Sequence, residues 1–146
     1  MVEQALRRAQ DACLLVALQC RRLERAEPEE AQLAVRVWAD VQILMVALRQ
    51  LRRSVELAAL APSLQDGLVR ALAEFDGPLP DLWRMRSVEE HFEAHPVPQT
   101  NAWDGRTFTW AEGALNVDDA LKAAERLLAT MIGVRTANPE TMPSTG

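Results

Sequence analysis

The chain has 146 residues, of which 49% are hydrophobic and 25% charged, and it carries a formal net charge of −5. That length suits one domain able to bury a core without disulfides or metal, and the composition excludes a disordered or collagen-like chain. The acidic balance excludes a protein that coats nucleic acid through a broad basic surface, so any RNA contact has to be local.

The opening stretch Met1–Arg8 is amphipathic and contains an acid, unlike a signal peptide. No apolar run approaches the roughly 18 residues that span a bilayer. The expected location is the cytoplasm, with no membrane contact. From Val2 to about Ala26, apolar residues at Val2, Leu6, Ala9, Cys13, Val16, Cys20 and Leu23 step by three and four, which predicts a helix face. Leu14, Leu15 and Leu18 widen it and suggest contact with more than one neighbour. Cys13 and Cys20 are separated by about 10 Å of helix axis, beyond disulfide reach. Both fall on the apolar stripe and are expected to be buried thiols.

Pro28, Glu29 and Glu30 suit the first turn of a second helix. Leu33, Val37, Val41, Leu44, Leu48, Leu51, Val55 and Ala58 then form a near-heptad seam, with Trp38 and Met45 to one side. This longest element is expected to end by Pro62, to pair with the first helix and still to offer a dimer surface. Ser63 with Asp66 predicts an N-terminal cap for a third helix, whose apolar side is Leu64, Leu68, Ala71, Leu72 and Phe75 and which closes at Asp76-Gly77.

Pro78-Leu-Pro-Asp81 forms a corner, and Asp81 is a cap for a fourth helix running to about His95, before Pro96 and Pro98. Ser87 with Glu90 makes a second capping signature, so the regular helix can instead begin at Ser87. Trp103-Asp-Gly-Arg-Thr-Phe-Thr-Trp110 predicts a hairpin through its Asp-Gly turn and alternating aromatics. Asn116 and Asp119 open a last helix, with Val117, Leu121, Ala124, Leu127, Leu128, Met131 and Ile132 facing the core. The predicted fold is all-α: a bundle of about five helices with a long second helix and a small β-hairpin insertion near residues 102–110. Residues 1–137 form one domain, and 138–146 a disordered tail.

One place in this scaffold hints at chemistry. In Met85-Arg-Ser-Val-Glu-Glu-His-Phe92 a permanent cation, Arg86, precedes His91, the side-chain type that exchanges protons near neutral pH. RNA cleavage without a metal needs a proton acceptor for the 2′-hydroxyl and positive charge where the phosphorane gathers negative charge. His91 suits the first role and Arg86 the second. Five residues on an ideal helix place two side chains about 140° apart, so they share no face of one helix. They cooperate if Arg86 precedes a helix starting at Ser87, or if two protomers pool their pairs in one cleft. The same spacing also fits a surface arginine and a solvated histidine.

The stretch Leu82–His95 resembles the signature of HEPN domains, small all-α proteins with an Arg, a polar residue and a following His. Arg86, Ser87 and His91 match those positions, and Phe92-Glu93 is similar to the His-Phe-acid continuation of many bacterial members. The resemblance implies a homodimeric, metal-independent ribonuclease, of the toxin–antitoxin or antiviral type, with an antitoxin or nucleotidyltransferase-type protein partner. It also implies catalytic roles for Arg86 and His91, with Ser87 and Glu90 supporting them. Arg84, His95 and Arg106 are further candidate RNA contacts, and no cofactor or metal is implied. Ser87 departs from the more usual Asn. The chain has no Tyr, so control by modification of a Tyr after the His has no acceptor here. His91 and His95 have metal-ligand spacing, but no third ligand accompanies them.

Trp103, Phe108 and Trp110 can either stack on bases or fold down as a lid, and Arg49, Arg52 and Arg53 form either a solvated strip or a phosphate track. The competing expectation is a non-catalytic helical dimerisation or protein-interaction module, an inactive HEPN relative. A ligand-sensing bundle is a third reading and needs a closed apolar pocket.

Overall fold

The computed structural model describes residues 1–26, 33–83, 102–110 and 113–139. Within them the chain is mostly helical, with four helices and a small antiparallel sheet. Helix α1 spans Val2–Glu24, with Glu3 in its first turn and Arg21 and Arg22 in its last, each sign complementing the helix dipole. Its buried stripe runs Ala5, Leu6, Ala9, Ala12, Cys13, Val16, Gln19, Cys20 and Leu23, as the three-four spacing predicts, while Val2 is half-buried. Leu15 packs half-buried against the core, whereas Leu14 and Leu18 face solvent among the described residues.

Helix α2 spans Leu33–Ala58. Its seam from Val37 to Ala58 is fully buried, with Trp38 and Met45 buried beside it. Asp40 is buried too. It accepts a hydrogen bond from Arg22 at 3.2 Å and lies 3.9 Å from Arg36, which joins the end of α1 to the start of α2. Further along, Arg8, Asp11, Ala12 and Leu15 share a groove with Gln50, Arg53, Ser54 and Leu57. Early residues of α1 therefore meet late residues of α2, and the two form an antiparallel hairpin.

Helix α3, Gln65–Asp76, differs from expectation at its start. Its N-cap is Leu64, and no side chain caps it. Tight backbone bonds from Leu60 to Leu57, Ala61 to Ala58 and Leu64 to Ala61 turn the chain, and burial of Leu64 holds the corner in place of the expected Ser63 oxygen. Gly67 allows α3 to approach the last helix closely, because a Cβ there would lie 2.9 Å from a methyl of Val134.

The expected hairpin is part of a three-stranded antiparallel sheet: β1 (Ala102–Trp103), β2 (Thr107–Trp110) and β3 (Gly113–Asn116), in that order. Trp103 pairs with Phe108 and Phe108 with Leu115. Gly105 takes φ +99 at the turn. The Asp104 carboxylate accepts backbone N–H bonds from Arg106 (2.8 Å) and Thr107 (2.7 Å), which holds its pKa below the usual value. Phe108 and Trp110 are buried, and Phe108 packs 5.3 Å from the Trp38 ring. The sheet is thus a lid on the helices, and these two aromatics are not available for base stacking.

Helix α4, Val117–Ala137, starts where the sequence predicts. Asn116 accepts the Asp119 backbone N–H at 2.9 Å and also donates to the Thr107 hydroxyl. Its buried face is rotated from the expected one. Val117, Ala120, Ala123, Ala124, Leu127 and Met131 face inward, Leu121 and Leu128 are half-buried, and Ile132 is exposed. The small alanines let the backbone come close, so the larger side chains ride at the edge. At its end Asn138 donates to the Val134 carbonyl at 2.8 Å, and Arg135 pairs with Glu3 of α1.

Both cysteines are free and buried, as expected, and the Cys20 thiol donates to the Val117 carbonyl at 3.8 Å. Burial pushes the Cys20 thiol up from 9.0 to about 12, with Glu24, Asp118 and Glu125 adding to the shift. A folded value above the unfolded one means that the native state holds this proton more tightly. The stability it contributes is present below pH 9 and is lost as pH rises from 9 toward 12. Urea midpoints measured across this range are expected to fall, with a shallower fall in Cys20→Ala.

Candidate functional site

Arg84, Arg86, Ser87, Glu90, His91 and His95, and the helix expected to carry them, lie outside the described residues. The two ends of that segment are described. On the N-terminal side, Leu79 and Leu82 are buried. Between them, the Asp81 carboxylate, expected to cap a helix, accepts the backbone N–H of Ala114 in β3 at 3.1 Å. Gly113 permits this approach, since a Cβ there would lie 2.6 Å from the Asp81 carboxyl carbon. On the C-terminal side, Ala102 enters the sheet opposite Thr109.

Trp83, the last described residue before the motif, stands against Arg52 of α2, whose guanidinium carbon is 5.5 Å from the ring centroid. Arg52 is mostly buried and is held from two sides. It donates through Nε and Nη2 to both carboxylate oxygens of Asp76 at the end of α3, at 2.8 and 2.7 Å, and it pairs with Glu56 one turn along α2. The fork to Asp76 is the main reason its pKa is raised further. One side chain thus ties α2, α3 and the residue leading into the motif.

Arg52→Ala is expected to lower unfolding free energy by about 2 kcal/mol, since it removes a two-pronged pair and a ring contact and leaves Asp76 unmatched. Arg52→Lys keeps the charge without the fork and is expected to recover less than half of that loss in chemical denaturation.

This placement divides the predicted basic strip. Arg52 is engaged by Asp76, Glu56 and Trp83. Arg49, whose Nε donates to the Met45 carbonyl at 3.4 Å, and Arg53 line an open groove of about 410 Å³ with Val46, Gln50, Glu56 and Trp83. Arg106 sits at the tip of the β1–β2 turn with its side chain exposed, 3.9 Å from Asp118. A third groove, between α3 and α4, carries Glu74 and Asp119 as well as Lys122 and Arg126 over a floor of Phe75 and Leu127. Opposite charges there nearly cancel.

Among the described residues no cluster of three or more His, Cys, Asp or Glu is placed to hold a metal ion. No described helix is long and apolar enough to cross a membrane. No local sequence pattern signals the Arg52–Asp76–Trp83 junction, because Asp76 and Trp83 lie 24 and 31 positions from Arg52. The apolar residues on the solvent side of α2 were legible as a second periodic series, but the stronger buried seam masks it. Comparison with protein-family models, with curated proteins and with solved structures finds no match to this chain.

Proposed function

We propose that the chain is a HEPN-like, metal-independent endoribonuclease that works as a homodimer, with Arg86 and His91 as its catalytic pair. The observation that carries this reading is Arg86-Ser87 followed by His91-Phe92, on a segment that leaves from the anchored Trp83 and returns into β1 of a helical protein. Attack of the 2′-oxygen on phosphorus expels the 5′-oxygen, leaving a 2′,3′-cyclic phosphate and a 5′-hydroxyl. His91 takes the 2′ proton or gives one to the leaving oxygen, and Arg86 stabilises the dianionic phosphorane. Ser87 and Glu90 orient the pair; Arg84, His95 and Arg106 contact RNA. A defence role, with an antitoxin as partner, follows from the resemblance.

Incubation of the purified protein with RNA in excess chelator tests this. Cyclic phosphate ends are the expected result, and intact RNA at high enzyme concentration overturns it.

A second reading, the non-catalytic interaction module, is favoured by a different observation: the exposed apolar side of α1 and α2. Under that reading the RNA remains intact, and the Arg86→Ala and His91→Ala proteins assemble as the wild type does.

A further inference from the structure

Helix α2 carries two heptad series. The first, from Leu33 to Ala58, is the core seam. The second is displaced from it by two residues and so lies on the opposite side: Val35, Ala39, Ile43, Val46, Gln50, Arg53 and Leu57, continuing to Leu60 in the turn. All eight are exposed, Val35 by 63% and Leu60 by 67%. Beside them across the groove stands Leu15 of α1, and Leu14 and Leu18 of that helix are exposed by 69% and 50%. Scattered apolar residues need no explanation, but a row with helical-partner periodicity on adjacent helices does.

We infer that this α1–α2 face is the self-association surface of the protein, and that its occupant is the same face of a second copy with the two α2 helices antiparallel. The inference rests on the homodimer of the proposed function and gives it a surface and a register. Three observations select this occupant. The face is about 39 Å long, from 26 residues of α2, and two helix diameters, about 20 Å, wide. That is close to the roughly 800 Å² per partner of a standard interface.

The series is also self-complementary about a two-fold axis between Val46 and Gln50. Rotation puts Val46 against Gln50, Ile43 against Arg53 and Ala39 against Leu57 of the second copy, with Val35 beside Leu60. Each position of the row meets another position of the row, as a closed two-fold contact requires.

The polar members fix the direction. A parallel pairing would set Arg53 on Arg53, a like-charge contact that costs energy. The antiparallel one lays the Arg53 stem along Ile43 and leaves its head at the solvent-open groove that Arg8 and Asp11 also line. The two Gln50 amides flank the axis, and polar residues in an apolar seam discriminate between registers.

Sedimentation equilibrium of the full chain, the double variant Val46→Glu/Leu57→Glu and a Glu74→Gln control on α3 tests the surface, with circular dichroism checking that each is folded. The expected result is a wild-type and control dimer, and at least a 100-fold weaker dimer in the double variant. A folded double variant that dimerises like wild type overturns the surface while leaving the dimeric ribonuclease reading intact. A monomeric wild type overturns both.

The register is read by cysteine pairing, because Cys13 and Cys20 are buried. Mixed Ile43→Cys and Arg53→Cys proteins are expected to form a disulfide-linked dimer. Arg53→Cys alone is not, its two copies being about 15 Å apart along the axis. Self-linking of Arg53→Cys without the mixed product overturns the antiparallel arrangement.

Discussion

On the ribonuclease reading, His91→Ala is expected to lower the rate of RNA cleavage by a factor of about 10² to 10⁴. The size of the loss is what a positioned proton-transfer group contributes. Thermal unfolding followed by circular dichroism checks that the variant is folded, so that the loss is one of catalysis. Arg86→Ala is expected to lose a similar factor for a different reason, since it removes charge stabilisation of the phosphorane rather than proton transfer. Arg86→Lys separates the two, because it restores a point charge but not the planar fork. If the single losses multiply in the double variant, the two residues act independently. If the double variant is no slower than either single one, they act as one unit. Steady-state rates on a fluorogenic RNA in chelator measure all four proteins, and a His91→Ala enzyme with wild-type turnover ends the assignment.

The largest expected effect on stability is at Phe75. Its ring is 2% exposed, the bulkiest of the fully enclosed side chains among the described residues, on the face of α3 that meets α4. Phe75→Ala is expected to cost about 4 kcal/mol, combining lost apolar transfer with the cavity left behind. Phe75→Leu, which keeps most of the volume, is expected to cost about 1 kcal/mol. Urea denaturation checks both, with an unchanged slope showing that the whole native state unfolds in one step. The loss is a large fraction of the roughly 5–15 kcal/mol that holds a domain of this size together. Phe75 also immediately precedes Asp76, the carboxylate that holds Arg52. The large truncation should therefore weaken the Arg52–Trp83 contact, and the Phe75→Ala/Arg52→Ala double variant should cost less than the sum of the two single costs.

What the sequence made legible is local. Periodicity located α1, the buried seam of α2 and the apolar side of α3. Chemistry of single residues located the Asp104-Gly105 turn and the Asn116 cap. Besides the Arg52–Asp76–Trp83 junction, three features escaped it. Strand β3, Gly-Ala-Leu-Asn, has little intrinsic strand preference and exists because β2 and Asp81 pair with it. The cap at Ser63 gave way to the burial of Leu64, a tertiary demand stronger than a local one. In α4 the expected Val117, Ala124, Leu127 and Met131 do face inward, but Ala120 and Ala123 complete that face in place of Leu121, Leu128 and Ile132, because close approach of two backbones rewards small side chains. Of the candidate site, the sequence supplies Arg86 and His91, and the described structure supplies the attachment of the segment that bears them. The five-helix count and the relative placement of the pair rest on residues outside the described set.

The ion pair between Glu3 and Arg135 joins the first turn of α1 to the last turn of α4. Two distant stretches of chain therefore meet at one pole of the domain. A short flexible bridge from Asn138 to Met1 would close the backbone into a ring without crossing the core. The order in which the helices are strung is then separable from the way they pack. A permuted chain opened at exposed Ser63 gives up the backbone turn from Leu64 to Ala61 but is expected to keep the packing of the four helices on one another.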